Sequence, residues 1–118
     1  MKCLSLKQPW AWLVFHGKDV ENRTWYTTYR GPLLIHASLK YDMDGDIWVT
    51  QHFPKIEIPE NLPTGAVVGK VHLINCVTQY PSKWFFGPYG FVLNNPTEYV
   101  KPIKYKGKLG LFDVDCCG

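Results

Sequence analysis

Lys18, Glu21 and Arg23 fall together in the run HGKDVENRTW. An ammonium, a carboxylate and a guanidinium at this spacing can form an ion-pair network, and each can also do chemistry. A lysine drawn out of water loses basicity and can act as a base or activate a nucleophile. A carboxylate beside it can orient it or carry a proton. A guanidinium can hold a phosphate or steady a developing oxyanion. Lys18 and Glu21 are therefore the candidate catalytic residues, and Arg23 is a candidate ligand-binding residue. The plainer reading is a Glu21–Arg23 ion pair on a wet strand face, since charged residues are mostly solvated.

Further candidates lie elsewhere in the chain. His36 and Ser38 stand two residues apart on a predicted strand, which aims both at the same space. No nucleophile elbow or Ser/His/Asp order accompanies them, so they are read as ligand-binding positions, and a lone His is more often structural. Trp84, Phe85 and Phe86 follow one another in a predicted loop. They read either as a hydrophobic plug over one end of the core or as a stacking wall for a flat ligand. Trp25, with Trp84 or Phe85, is the candidate for stacking on a base. Lys101, Lys104, Lys106 and Lys108 concentrate charge near the C-terminus. They form either a solvated sheet edge or a phosphate-steering patch.

The elements that must position these groups can be read from punctuation and period. Pro9 suits the first position of a short helix and Gly17 the position just past its end. The residues between, from Trp10 to Phe15, are apolar all round, which predicts burial on most sides. Strand period over Val20–Trp25 puts Val20, Asn22 and Thr24 on one face and Glu21, Arg23 and Trp25 on the other. Lys2–Leu6 reads as a first strand. Gly31-Pro32 opens another over Leu33–Ala37, with Leu33, Ile35 and Ala37 facing one way and Leu34, His36 and Ser38 the other. Asp46–His52 reads as a helix stopped by Pro54.

Gly65–Val77 is the clearest strand. Val67, Val71, Leu73 and Val77 are expected to share one face, and Gly69 to mark a bulge or a close backbone approach. Tyr89–Leu93 is a strand, Asn94–Pro96 a turn, and Tyr99–Tyr105 with Leu109–Val114 a closing hairpin tipped by Lys106-Gly107-Lys108. Short strands with few helices predict an α+β fold, a small, partly closed β-barrel with one or two flanking short helices.

The chain of 118 residues suits a single domain over 1–118, large enough to bury a core without staples. Five Trp within an aromatic share of 15% require a core or a cleft that uses them. A net charge of +3 permits an anionic partner without announcing a nucleic-acid protein. The N-terminus lacks an apolar core segment for secretion, and no stretch approaches a membrane span, so the expectation is a cytoplasmic protein without a membrane role. Cys3, Cys76, Cys116 and Cys117 show no C-x-x-C spacing and read as thiols, the last two in a frayed tail. Asp42, Asp44 and Asp46 alternate as in a calcium loop, but no Glu stands at the twelfth position, so no metal is assigned. Gly-rich phosphate loops are absent, and no cofactor is expected.

These residues carry a resemblance. The runs LSLKQPW, HGKDVENRTW, RGPLLIHAS and GAVVGKVHLINC, with the closing YKGKLGLFDV, resemble the ASCH domain of the PUA-like superfamily. The family hallmark is G-x-K-x-x-E-x-R after the first helix. Lys18, Glu21 and Arg23 keep that spacing, while His16 stands at the motif's Gly and Gly17 follows one place late. The resemblance implies a β-barrel with flanking helices, a cleft holding Lys18, Glu21 and Arg23, and a role around RNA. Some small members resemble amidohydrolases that remove an acyl group from N4-acetylcytidine, and others have been assigned ribonuclease activity. The superfamily includes readers of modified bases that use aromatic cages. The acylcytidine hydrolases pair the motif Lys with a Thr where this chain has Glu21, and add a later Glu; here Glu57, Glu60 and Glu98 all fall in predicted loops.

Three functions follow as expectations. The first is binding of RNA or a modified nucleoside. The alternative is a small hydrolase of an acylated nucleoside, or a ribonuclease. The third is an interaction module in which the cluster is a buried ion pair. Enclosure of Lys18 with Glu21 in hydrogen-bond reach favours chemistry, and an open, basic, aromatic groove favours binding. The oligomeric state is not legible.

Overall fold

The elements follow one another along the chain as β1 (Lys2–Gln8), α1 (Trp10–Leu13), β2 (Val20–Arg23), β3 (Gly31–Tyr41), α2 (Met43–His52), β4 (Ala66–Val77), β5 (Tyr89–Lys104) and β6 (Leu111–Asp113). The structure, a computed structural model, describes residues 1–115, so Cys116 and Cys117 lie outside the described residues. The fold is α+β: one six-stranded mixed sheet in the order β2-β5-β4-β3-β1-β6, with two helices among the described residues. Only the β1–β3 pairing is parallel among the described strands. It is bridged by α1 and β2, as a parallel crossover requires.

The expected α+β class is found, and the expected partly closed barrel only loosely, since the sheet does not close into a barrel. β2 and β6 are its edges and do not pair with each other. Both are short, which limits the unpaired backbone they present. The sheet nevertheless curls far enough for Arg23 on β2 to donate from Nη2 to the Ser5 carbonyl of β1 at 2.9 Å, four places away in the strand order. The main core fills the inside of that curl, with Leu4, Leu6, Leu33, Ile35, Val71, Leu73 and Phe91 at its centre. Cys3, Leu34, Val67, Phe112 and Val114 pack on the other side of the sheet. A third cluster, Leu13, Val20, Val49 and Trp84, joins α1, β2, α2 and the aromatic loop.

The alternation expected for β3 is found: Leu33, Ile35 and Ala37 enter the main core and Leu34 the opposite cluster. In β4 the expected single face for Val67, Val71, Leu73 and Val77 is corrected. Val67 lies in the second cluster while Val71 and Leu73 lie in the first. The register slips between Val67 and Gly69, and an extra residue reverses which face each side chain takes. Gly69 also meets a close approach. A Cβ there would run into the Phe15 ring and stand 2.5 Å from the Thr97 carbonyl oxygen.

Two other expectations are corrected. Asn94–Pro96 is not a turn, and the closing hairpin does not form. β5 runs unbroken to Lys104 and pairs with β4, while β6 pairs with β1. Register slips along β4–β5 absorb Pro96, which cannot donate to a regular ladder. Helix α2 starts at Met43 rather than Asp46, because the Asp42 carboxylate accepts from Gly45 N–H at 2.9 Å and caps it. Helix α1 is shorter than expected, and Pro9 precedes its first residue.

Candidate functional site

Gly17 adopts φ +112°, a conformation that costs glycine little. The turn then closes with Lys18 N–H donating to the Leu13 carbonyl at 2.9 Å, and the lysine side chain turns inward. Lys18 is only 4% exposed. Its Nζ donates to the Val20 carbonyl at 2.7 Å and to Glu21 Oε1 at 2.6 Å, and lies 5.5 Å from the centre of a Trp10 ring. The other Glu21 oxygen is 3.3 Å from Arg23 Nη2. Lys18, Glu21 and Arg23 thus form one continuous network, with Glu21 between the two cations. Burying such charges is expensive for each ion unless pairing and hydrogen bonds offset it. Arg23 Nε is buried and has no hydrogen-bond partner among the described residues.

Strand alternation turns Asn22 the other way, onto the aromatic loop. Its Nδ2 donates to the Trp84 carbonyl at 2.9 Å, and its Oδ1 accepts from Phe86 N–H at 2.8 Å and Gly87 N–H at 3.0 Å. One short side chain therefore holds three backbone groups of that loop.

Two clefts adjoin at this strand, sharing Trp10, Glu21 and Asn22 in their walls. The smaller, of ≈ 440 Å³, is lined by Lys18 and by the rings of Trp10, Trp48, Trp84 and Phe86, with Asp42 and Asp44 at its rim. The Asp42 carboxyl is held below the usual carboxylate range. The chief cause is the Trp10 indole N–H, which donates to it at 2.8 Å, followed by Gly45 N–H. Both bonds favour the charged form. The larger cleft, of ≈ 1190 Å³, carries Lys7, Arg23, Lys40, Lys104, Lys106 and Lys108, against the carboxylate of Glu21.

The remaining predicted site residues divide between these spaces. Trp25, His36 and Ser38 line the larger cleft. Trp25 meets Phe91 edge to face at 5.1 Å and is anchored in the core. His36 is 2% exposed and held at both nitrogens: Nε2 donates to the Tyr105 carbonyl at 2.6 Å, and Nδ1 faces Ser5 Oγ at 2.8 Å. Trp84 walls the smaller cleft but is 6% exposed, with one face stacked on Phe53 at 4.1 Å. Phe85 lines neither cleft and packs over Gly90, whereas Phe86, 64% exposed, reaches the smaller one. Glu98 is not in a loop but on β5, where it pairs with His16 at 2.9 Å.

Sequence reasoning missed Trp10, Asn22, Asp42 and Trp48 as site residues. Asp42 carried a usable signal, an acidic residue three positions before a glycine at a helix start. Trp10 and Trp48 carried none, because a tryptophan in a helix reads as core. Among the described residues no helix is long and apolar enough to cross a membrane.

A model of the ASCH domain family matches residues 4–108. The chain belongs to the ASCH domain family. It is similar to human activating signal cointegrator 1, with 34% identity over 96% of this chain and 22% of that protein. The mouse protein of the same name is 33% identical over the same shares. The chain therefore spans about a fifth of the length of these relatives. Within the matched range Lys18 lines the smaller cleft, Arg23 the larger and Glu21 both.

Proposed function

We propose that this ASCH domain, taken as one unit over residues 1–118, binds single-stranded RNA or a modified nucleoside across the two clefts. Phosphates lie in the larger cleft and a base enters the smaller one. The observation that carries this reading is the lining of the larger cleft: six cationic side chains and one carboxylate, in a chain whose net charge is only +3. Tertiary folding has gathered scattered lysines from β1, β3, β5 and the segment after β5 around one space. Four aromatic rings line the adjoining cleft; Trp84 and Trp48 each give one face, to Phe53 and His52 respectively, and the remaining ring surface supplies stacking, worth ~1–3 kcal/mol per base. Lys18 and Glu21 then serve chiefly to hold the shared wall.

The test is titration of short single-stranded RNAs at several salt concentrations. Affinity should fall with salt, with a log–log slope of roughly −0.7 per phosphate contact. Lys104→Ala with Lys106→Ala should flatten that slope by about 1.4. Binding that is absent, or indifferent to salt, refutes the reading.

A second reading is a hydrolase, favoured by the enclosure of Lys18 with its Nζ 2.6 Å from Glu21 Oε1. In that reading Glu21 orients Lys18 and carries the proton. Against it, Glu57, Glu60 and Glu98 line neither cleft, so Glu21 is the glutamate available there. Incubation with N4-acetylcytidine, followed by chromatography, separates the two. Deacylation that Lys18→Ala abolishes makes the protein an enzyme.

A further inference from the structure

We propose that the smaller cleft selects a nucleobase that carries a positive charge, as methylation of a ring nitrogen produces, while the phosphate of the same nucleotide lies in the larger cleft. This rests on the nucleic-acid reading above and narrows it to one class of base. The observation behind it is a reversal of charge across a shared wall. The larger cleft sets six cations against one carboxylate, and the smaller sets three carboxylates, Glu21, Asp42 and Asp44, against one ammonium.

The ammonium does not cancel that excess. Lys18 lies 2.6 Å from Glu21, whose other oxygen faces Arg23, so those charges answer one another. Asp42 and Asp44 remain. Asp42 accepts from two neutral donors, the Trp10 indole N–H and Gly45 N–H, which with a lesser pull from the Lys7 ammonium hold its carboxyl below the usual range, so it keeps its charge at neutral pH. Asp44 sits in the first turn of α2, where a negative charge is favoured.

The walls suit the same ligand. The face of an aromatic ring is the negative part of its quadrupole and attracts a cation that also stacks. Trp48 keeps one face on His52 at 4.5 Å and meets Phe86 edge to face at 5.1 Å, which leaves the 64% exposed Phe86 ring as the wall most open to a ligand. The hydrogen bond from Trp10 to a carboxylate leaves its ring richer in electrons. A neutral base would stack here but gain less from the carboxylates, and an anionic group would be repelled. A methylated ammonium on a protein side chain would suit the rings, yet would leave the six-cation cleft without a counterpart. A nucleotide with a cationic base occupies both. The smaller cleft's ≈ 440 Å³ lies within the range of small-molecule sites.

The experiment is titration of the full chain, followed by tryptophan fluorescence, with matched pairs: N7-methylguanosine monophosphate against guanosine monophosphate, and N1-methyladenosine monophosphate against adenosine monophosphate. The methylated member should bind about tenfold more tightly. Asp44→Asn, at an exposed position, should cut that preference to about threefold and leave the unmethylated member within about twofold. Phe86→Ala, also exposed, should weaken both members. Equal binding within each pair overturns this inference and leaves the nucleic-acid reading standing. Binding of neither member overturns both for this cleft. Tighter binding of a trimethyllysine peptide than of any nucleotide overturns the inference in favour of a protein ligand.

Discussion

Glu21 sits between two cations, and removing it should harm the fold more than removing Lys18. In Glu21→Gln the Lys18 ammonium, with a side chain 3% exposed, keeps only neutral partners, the Val20 carbonyl and an amide oxygen, and Arg23 also loses its counter-charge. Breaking a buried pair by removing one partner costs ~3–5 kcal/mol, because the other charge is left uncompensated. In Lys18→Met, Glu21 retains Arg23 at 3.3 Å, so no isolated buried charge remains. The loss is then a charge-assisted hydrogen bond and the bond to Val20, offset in part by the apolar Met stem, about 1–2 kcal/mol. The double variant removes both charges of the closest pair and should cost less than the sum of the two, by about 1–3 kcal/mol. Urea denaturation of the four proteins measures all three quantities. In a domain of this size the Glu21→Gln loss corresponds to a fall in Tm on the order of 10 °C or more. If Lys18→Met proves as damaging as Glu21→Gln, or the two add without coupling, the network is not organised around Glu21 and the account of the shared wall fails.

Other substitutions probe single links. A Cβ at Gly69 meets the Thr97 carbonyl oxygen at 2.5 Å, and a backbone atom cannot swing aside. Gly69→Ala should therefore destabilise by about 3 kcal/mol or more in urea melts. Asn22→Ala should free the Trp84–Gly87 backbone, which loses three hydrogen bonds. The signs should be faster limited proteolysis there and a loss of about 2 kcal/mol. Asn22→Asp sets a carboxylate oxygen against the Trp84 carbonyl oxygen in place of the donor and should not restore the loss. Asp42 has a folded pKa below its unfolded one. Its stabilising contribution is therefore full above the ordinary carboxylate value of ~3.9 and disappears as pH falls through the lowered folded value. The stability gap between the wild type and Asp42→Asn should accordingly shrink as urea melts are carried down through that window, and a gap that widens would contradict the cap geometry.

Local period and punctuation made much of the chain legible without coordinates. The alternation of Leu33, Leu34, Ile35 and Ala37 assigned both faces of β3, because a strand buried on both sides must sort its residues strictly by parity. Gly17 was recognised as a left-handed position, although the helix stops earlier, at Leu13, and Gly17 closes the turn that follows it; Lys18, Glu21 and Arg23 announced themselves by type and spacing, which is also where the family resemblance is strongest. Gly69 was recognised as a close approach, although its contacts, Phe15 and Thr97, come from distant parts of the chain. Other features depended on long-range partners. The bulge beside Gly69 reversed the face of Val67, and a register slip leaves no mark on hydrophobic period until the neighbouring strand is known. Strand β5 ran through Asn94–Pro96, because pairing with β4 outweighed local turn preference, and with it went the expected hairpin. Whether the sheet closed depended on which edges met, and sequence period is silent on that. The two clefts belong wholly to the tertiary structure. Lys7, Lys40 and Lys104 lie far apart along the chain and share a wall because β1, β3, β4 and β5 are successive neighbours in the sheet, and Asp42 meets Trp10 because β1 pairs with β3 and sets Gln8 beside Tyr41. Charge that reads as a scattered +3 along the chain becomes, once folded, a basic cleft beside an acidic aromatic one.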